Sequence, residues 1–308
     1  IGSLMPEPGT DPTPPAVEPQ RPAANGKAAY VDPIVRYYDG TWFDYRVVWM
    51  RNLGMHWGYW DDATKTHAES LTNMSRALAQ RADIKPGARV LDAGCGVGGP
   101  ALWLAATYGA SVVGVTLSEV QLARARKYAA KRGLEHLVRF EVADFTKLPY
   151  GDESFDVVWA QESVCHVPAA GKQAFLGEAC RVLKPGGSML MEDWFRVSRP
   201  YPGDGEELMH EWLAGWAIDD LATRDEISAW CREAGFGQVD LKDVTPFAYR
   251  SIRRLRRLAV WSTPGAVLLH GLHLRSDIEQ ANLRSARLQW ETNLRHYWLI
   301  GLLRAVKP

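Results

Sequence analysis

The stretch Arg89-Val-Leu-Asp-Ala-Gly-Cys-Gly-Val-Gly-Gly99 decides the fold of this chain. Its first half predicts a short buried strand, and its second half predicts a tight turn. Gly94, Gly96 and Gly98 stand two residues apart, so the backbone can bend sharply and approach a ligand without Cβ atoms in the way. Pro100 then suits the first turn of a helix, where its missing N–H is no loss.

A glycine-rich turn between a strand and a helix indicates a nucleotide-like cofactor, because free N–H groups at the start of the helix point towards the ligand. A dinucleotide site would place an acid about 20 residues further on to hold a ribose. The second predicted strand, residues 111–117, ends near Thr116 and Ser118 instead, and the acid of the motif, Asp92, precedes the glycines. A turn of this kind without any ligand is the structural alternative.

Composition limits the function classes. The chain has 308 residues, 46% of them hydrophobic, which is enough for one large α/β domain with insertions. A formal net charge of zero gives no overall electric field that would attract nucleic acid or an acidic membrane. Four cysteines without C-x-x-C spacing favour reduced thiols and a cytoplasmic protein. No apolar run is long enough for a membrane span. The composition leaves the formation of a homo-oligomer open.

Strands alternate with helices after residue 86, which predicts an α/β fold with a doubly wound, mostly parallel sheet. Ligands of such sheets bind beyond the carboxyl ends of the strands. Polar pairs follow the predicted strands there, namely Asp144-Phe145, Gln161-Glu162 and Glu192-Asp193. We expect five segments: a disordered leader with a tag remnant (1–25), an aromatic N-terminal lid and helix (26–85), a cofactor-binding core (86–245), a helical substrate lid (246–295) and a last core strand (296–308).

Together these features resemble the class I S-adenosylmethionine (SAM) methyltransferases over about residues 90–235. The resemblance is carried by the 92–98 turn, by Asp144-Phe145, by the strand 155–159 and by Leu183-Lys-Pro-Gly-Gly187. It implies a seven-stranded Rossmann-like sheet. Within the family, the chain resembles the tocopherol, sterol and prenyl-diphosphate C-methyltransferase branch, through Tyr37-Tyr38-Asp39, His56-Trp-Gly-Tyr-Trp60, Val115-Thr-Leu-Ser118 with Gln121, and Glu162-Ser-Val-Cys-His166.

The resemblance implies SAM as the cofactor and assigns its contacts residue by residue. Other methyltransferases use an acid after the second strand, where this chain has Leu117 and Ser118, so the ribose contact is less well defined. The implied cofactor-binding residues are Asp92, Gly94, Gly96, Gly98, Leu117, Ser118, Gln121, Asp144, Phe145 and Gln161.

The residues around the methyl acceptor are predicted from the chemistry of the reaction. Methylation of an alkene makes a carbocation, which must be shielded from water and then lose a proton, and aromatic faces stabilise cations. Glu162 is the first candidate base and His166 the second; the structural alternatives are a strand-end acid that holds N–H groups and a hydrogen-bonded histidine at a helix start. Tyr38, Tyr45, Trp57 and Tyr59 are the predicted substrate contacts, and further rings come from Trp42, Phe43, Trp60 and Trp194.

An arginine stripe is the second acceptor feature. Arg250, Arg253, Arg254 and Arg257 share one helical face, and arginine forks bind phosphate oxygens. The stripe suits a diphosphate, which Mg²⁺ would accompany, with Glu206, Glu207 and His210 as further candidates for that ion. A solvated helix face is the structural alternative.

The leading hypothesis is therefore a SAM-dependent C-methyltransferase of an isoprenoid alkene, with a prenyl diphosphate as the first acceptor to test. An O- or N-methyltransferase of a small natural product, with His166 or His56 as the base, is the runner-up. A catalytically silent SAM-binding or assembly module is the third hypothesis. The leading hypothesis predicts a small-molecule isoprenoid substrate, and no nucleic-acid partner is expected.

Overall fold

The computed structural model describes residues 28–50 and 52–308. The predicted leader therefore lies outside the described residues. The central sheet consists of β1 (Arg89–Ala93), β2 (Ser111–Thr116), β3 (Val138–Val142), β4 (Phe155–Gln161), β5 (Leu183–Arg196), β6 (Gln238–Asp243) and β7 (Trp298–Val306). The strand order is β3-β2-β1-β4-β5-β7-β6, and β7 runs antiparallel to both of its neighbours. The predicted seven-stranded, mostly parallel α/β fold is confirmed.

Helices cover both faces of the sheet and its carboxyl edge. They are α1 (Val31–Gly40), α2 (Trp42–Asp44) with a π-helical turn (Tyr45–Trp49), α3 (His67–Ala79), α4 (Gly99–Tyr108), α5 (Glu119–Arg132), α6 (Ala169–Val182), α7 (Gly205–Ala214), α8 (Arg224–Glu233), α9 (Thr245–Gly271) and α10 (Asp277–Leu294). The long helices α9 and α10 pack against each other, and α10 also contacts α7 and α1. Among the described residues, no helix is long and apolar enough to cross a membrane.

Two hydrophobic cores follow from the alternation of side chains along the strands. Val90 of β1 belongs to a buried cluster that includes Met74 of α3, whereas its neighbour Leu91 belongs to a second cluster with Phe175 of α6. Both faces of β1 are therefore buried, which explains its continuous apolar sequence. This rigid double-sided packing fixes the position of the turn that follows β1.

Most predicted elements are observed, with three changes of length. The helix predicted over residues 66–85 ends at Ala79, although Thr66 caps it through a capping box. The helix predicted over 206–218 is shorter and spans Gly205–Ala214. The strand predicted over 188–191 is longer, because β5 pairs with β7 from Ser188 to Arg196. A long-range partner thus extends the strand beyond its local apolar run.

Candidate active site

A cavity of about 290 Å³ lies where the carboxyl ends of β1, β2 and β4 meet the N-terminal helices and the α9–α10 pair. Gly94 and Gly96 form its wall on the sheet side. Apolar side chains such as Leu258, Ala259 and Leu283 line it on the helix side. The cavity therefore joins the position at which Rossmann-like sheets bind ligands to an apolar chamber under the helices.

The glycine turn has room for a ligand only because it lacks side chains. Gly94 and Gly96 have φ angles of 84° and 54°, which L residues rarely adopt. A Cβ atom on Gly94 would stand 2.4 Å from the Cβ of Ser163, and one on Gly96 would stand 3.2 Å from Cε of Met55. The turn is thus a backbone cradle that faces the cavity.

Asp92 is a buried acid next to this cradle. Its Oδ2 atom has no hydrogen-bond partner among the described residues. Burial raises the pKa of Asp92 to about 7, although the backbone N–H of Ala101 partly opposes that rise. A buried acceptor without a donor is unusual in folded proteins, so the acid is suited to a ligand that carries a donor or a positive charge.

The N-terminal segment is fastened across the strand ends. Each of β2, β3 and β4 is followed by a residue that makes a hydrogen bond to this segment. The three bonds run from Ser118 Oγ to Asp39 Oδ1 (2.8 Å), from Tyr30 OH to Asp144 Oδ2 (2.6 Å) and from the Trp57 N–H to Glu162 Oε1 (2.6 Å). The segment therefore covers the sheet edge at the cavity.

Glu162 is the acid at the centre of the cavity wall. Its φ angle is 46°, an uncommon conformation for a residue other than glycine, and such strain is concentrated at functional sites. Burial raises the pKa of Glu162 to about 8, and the hydrogen bond from the Trp57 N–H opposes the rise. The neutral acid predominates at pH 7 until positive charge enters the cavity and favours the carboxylate.

Glu192 is a site residue to which the sequence assigned no role. It lies opposite Gln161 in the β4–β5 register and is completely buried beside Glu162. Burial and the negative charges of Glu162 and Asp193 raise the pKa of Glu192 well above its usual range. A protonated Glu192 beside Glu162 follows from this, since two adjacent buried carboxylates cannot both carry charge cheaply. The strand register creates the contact, and no local motif signals it.

His166 and Tyr38 form a second polar pair at the cavity. His166 Nδ1 lies 3.3 Å from the carbonyl oxygen of Ala217, so Nδ1 carries the hydrogen and donates it. Nε2 is then free to accept a hydrogen bond from the Tyr38 hydroxyl, at 2.7 Å. Burial lowers the pKa of His166 to about 4, so the ring is neutral at pH 7. The pair is a neutral imidazole that can accept a proton through the tyrosine.

Aromatic rings enclose the space around Glu162. Trp57 lies edge-to-face against Trp49 and 6.2 Å from Trp194, and Trp194 lies 5.1 Å from Trp216. All four rings line the cavity, together with Tyr37, Tyr38 and Tyr45. Trp49 and Trp216 were not among the predicted contacts, because nothing in the local sequence distinguishes a cavity tryptophan from a core tryptophan.

Comparison with known proteins agrees with this geometry. The family model described as "Methyltransferase domain" matches residues 91–191. The 27-O-demethylrifamycin SV methyltransferase of Amycolatopsis mediterranei (strain S699) is 38% identical over 202 residues, which is 65% of this chain and 72% of that protein. The chain belongs to the class I SAM-dependent methyltransferases.

Two further proteins show how varied the relatives of this methyltransferase are. The 24-methylenesterol C-methyltransferase 2 of Oryza sativa subsp. japonica is 35% identical over 206 residues, and the match spans 65% of this chain but 54% of that protein. The crystal structure of the [4+2]-cyclase SpnF matches with a TM-score of 0.73 and 27% identity, covering 89% of this chain and 96% of that one. The relatives therefore show the family and leave the acceptor to be inferred.

The residues present fit SAM. The glycine cradle and the unpartnered Oδ2 atom of the adjacent Asp92 suit a ligand with hydrogen-bond donors and positive charge, as SAM has, and SAM supplies an electrophilic methyl group. Most of the predicted cofactor-binding residues line the cavity, namely Gly94, Gly96, Leu117, Ser118, Gln121, Phe145 and Gln161. Asp92, Gly98 and Asp144 do not, and Asp144 bonds Tyr30 and Thr146.

The predicted acceptor residues divide into two groups. Glu162, His166, Tyr38, Tyr45, Trp57, Trp194 and the alternative base His56 line the cavity. Burial lowers the pKa of His56 to about 4, and its Nδ1 donates to the Trp57 carbonyl. The structure does not bring the following residues to the cavity: Tyr59, Trp42, Phe43, Trp60, Arg250, Arg253, Arg254 and Arg257.

The arginine stripe has other partners. The Arg250 guanidinium lies 4.1 Å from the centre of the Trp60 ring, and Arg254 donates to the carbonyl of Val48. Of the residues suggested for Mg²⁺, Glu206 is bound to Arg196. Within the described part of the chain, no group of three or more His, Cys, Asp or Glu side chains is placed to hold a metal ion.

Proposed function

We propose that this methyltransferase transfers the methyl group of SAM to an alkene carbon of an isoprenoid. The observation that carries the proposal is the Glu162 carboxyl group, buried in an apolar cavity in which aromatic rings surround it. Alkene methylation needs both elements, because it creates a carbocation in a place without water and must then remove a proton.

Each bond, charge and proton of the alkene methylation can be accounted for, and a residue of this chain receives the proton. The π electrons of the alkene would form the new C–C bond to the methyl group of SAM as the bond from that methyl group to sulfur breaks and leaves its electron pair on sulfur. A positive charge then remains on the neighbouring carbon of the acceptor. A proton then leaves an adjacent carbon and passes to Glu162, while its electron pair forms the new double bond. Positive charge in the cavity favours the Glu162 carboxylate beforehand, since it offsets the burial that raises the pKa of this group. Glu192 does not line the cavity, so it is not placed to take that proton directly.

The aromatic rings act on the cationic stage. Each ring face stabilises a nearby cation by about 0.5–2 kcal/mol, with the larger values in desolvated sites. Trp57 and Trp194 are buried, and both line the cavity beside Glu162. The same rings exclude water, which would otherwise trap the carbocation as an alcohol.

Charge in the cavity favours a neutral acceptor over a diphosphate. Arg275 is the one Arg or Lys among the described residues that line it, and both of its terminal nitrogens bind Asp44, at 3.0 and 2.7 Å. A buried diphosphate would need unpaired cations. The sterol C-methyltransferase among the relatives is named for a neutral isoprenoid acceptor, which supports the same class here.

A product assay tests the proposal. The full chain is incubated with methyl-labelled SAM and four acceptors: squalene, a sterol with a side-chain alkene, farnesyl diphosphate and a phenol. Each reaction is run with Mg²⁺ and with a chelator. We expect a new C-methyl group in a neutral isoprenoid without dependence on Mg²⁺. A methylated farnesyl diphosphate would keep C-methylation and replace the neutral acceptor, and methyl transfer only to the phenol would overturn the proposal.

O-methylation is the second candidate, and the Tyr38–His166 hydrogen bond is the observation that favours it. A neutral imidazole linked to a tyrosine hydroxyl can remove the proton of an acceptor hydroxyl as its oxygen attacks the methyl group. The Amycolatopsis relative is named as a methyltransferase of an O-demethyl compound. Magnetic resonance of the product separates the two candidates, because O-methyl and C-methyl protons resonate in different ranges.

A further inference from the structure

The outward face of α9 changes character along its length. Arg250, Arg253 and Arg257 are exposed on the first half of this face. Helical spacing continues the same face through Val260 and Val267, both about half exposed, and through the neighbouring Trp261 and Leu268. A single helix face thus presents positive charge first and apolar side chains afterwards.

The apolar half is unusually open to solvent. The exposed fractions are 85% for Trp261, 63% for Leu268 and 72% for Leu274, which follows α9. Phe43 of α2 is 67% exposed, and the neighbouring Asp44 holds α2 to Arg275, next to Leu274. We call the surface formed by Phe43, Trp261, Val267, Leu268, Leu272 and Leu274 the hairpin patch. Contiguous exposed apolar surface of this kind marks an interaction site.

Charge indicates what the hairpin patch binds. Residues 244–276 contain six arginines and no Asp or Glu, in a chain whose overall charge is zero. Within the residues that the structure describes, Arg253 and Arg257 form no ion pair. An apolar surface bordered by unpaired arginines complements a partner that is apolar inside and anionic at its surface.

We propose that the hairpin patch docks on the surface of an anionic phospholipid bilayer. The leucines and Phe43 enter the boundary between head groups and acyl chains, Trp261 lies at the head-group level, and the arginines bind lipid phosphates. The neighbouring acids Asp44 and Asp277 are bound to Arg275 and His270. A second copy of the chain is a poorer partner, because a symmetric dimer would bring two arginine-bearing surfaces together.

The position of the hairpin patch indicates how docking would serve catalysis. This step rests on the proposed function. The inner face of α9 lines the cavity with Leu255, Leu258 and Ala259, while its outer face forms the hairpin patch. Tyr45 and Val48, in the π-helical turn after α2, line the same cavity. The bilayer would therefore lie against the elements that form the cavity wall, and an apolar acceptor dissolved in lipid could enter without crossing water.

Vesicle co-sedimentation of the full chain tests the docking without any methyl transfer. The probes are vesicles of pure phosphatidylcholine and vesicles with 30% phosphatidylglycerol, about the anionic fraction at which surface charge attracts basic segments. We expect at least about tenfold tighter binding to the anionic vesicles, weakened by salt. Both Trp261→Ser/Leu268→Ser and Arg253→Gln/Arg257→Gln should lower that affinity about tenfold or more.

Leu294→Ser is the matched control, since Leu294 is an equally exposed leucine (56%) at the opposite end of α10 and should bind like the unmodified chain. Calorimetric SAM binding by every variant confirms that each is folded. Equal binding of all variants, or equal binding to neutral and anionic vesicles, would overturn the proposal. So would a lipid-free dimer in sedimentation velocity that Trp261→Ser/Leu268→Ser dissociates. Because the readout is vesicle binding, failure of the proposed function leaves this test intact.

Discussion

The two sides of the cavity are built in different ways. The cofactor side is built around backbone: a turn of positive-φ glycines lies directly after β1, with Asp92 and Ala101 close to it in sequence. The acceptor side consists of side chains brought from distant segments. Trp57 reaches Glu162 across 105 positions, and Tyr37 reaches Asn282 across 245. One side can be changed only by altering the turn, whereas the other can be changed one side chain at a time.

This difference explains how a shared cofactor coexists with varied acceptors. Side chains on Gly94 and Gly96 would meet neighbouring atoms closely, so we expect the backbone cradle to tolerate few substitutions. The acceptor walls depend on helices outside the sheet, which can exchange side chains without disturbing the strands. Substitutions on the cofactor side should therefore affect SAM binding, and substitutions on the acceptor side should affect turnover or product.

Glu162→Gln should give the largest effect. The amide keeps the shape of the side chain but cannot take the proton, so turnover should fall by about 10²–10⁴-fold. SAM affinity should fall by no more than about tenfold, the equivalent of 1.4 kcal/mol, because only the attraction between the Glu162 carboxylate and the positive charge of SAM is lost. Single-turnover kinetics and calorimetry measure the two quantities. Near-normal turnover would remove Glu162 from the mechanism, and lost SAM binding would break the division between the two sides.

Gly94→Ala should act on the cofactor side. A Cβ atom there meets Ser163 at 2.4 Å and is held at a φ angle of 84°, a conformation that costs L residues about 1–2 kcal/mol before any clash. We expect SAM affinity to fall at least about tenfold in calorimetry, as the turn shifts to relieve the contact. Gly87→Ala is the matched control, because Gly87 also has a positive φ but has no atom within 4 Å of its Cβ position. Equal losses in both variants would assign the effect to backbone strain alone.

Asp92 should make the stability of the cofactor-free protein depend on pH. Its pKa is about 7 in the folded state and near 3.8 when unfolded, so the folded state holds the proton more tightly. The free energy of unfolding should therefore fall as pH rises from about 4 to 7, by at most about 1.4 kcal/mol per pH unit. Asp92→Asn removes this contribution, so the stability gap between the two proteins should change in urea titrations at pH 4.5, 6 and 7.5. A gap that is constant with pH would contradict the assignment.

Tyr38→Phe should give the smallest effect and the sharpest choice between the two acceptor chemistries. For C-methylation the Tyr38–His166 bond is a positioning contact, and turnover should fall less than about fivefold, the equivalent of one neutral hydrogen bond. For O-methylation the loss should reach about 10²-fold, since the proton path is cut. Tyr59→Phe is the control, because Tyr59 stacks on Phe247 outside the cavity. Turnover with the acceptor identified in the product assay is the measurement.

The sequence predicted the fold and the cofactor because both depend on local signals. Strand–turn–helix spacing located the glycine turn, and the polar pairs after the strands located Gln161 and Glu162. The sequence predicted Glu192 at a strand end, whereas the structure places it inside β5, and its contact with Glu162 depends on the register of β4 and β5. The arginine stripe was correctly placed on one helix, yet the side of the helix that faces the cavity is set by packing against α10. The limits of the lid and core segments remain predictions.

The three hydrogen bonds from the N-terminal segment to the strand ends have a consequence for the timing of catalysis. Met55 and Trp57 lie over the glycine turn and over Glu162, so a molecule the size of SAM enters or leaves only when this segment lifts. Opening requires that the bonds of Asp39, Tyr30 and Trp57 break together. We therefore expect the rate of that opening to limit how fast the spent cofactor can exchange.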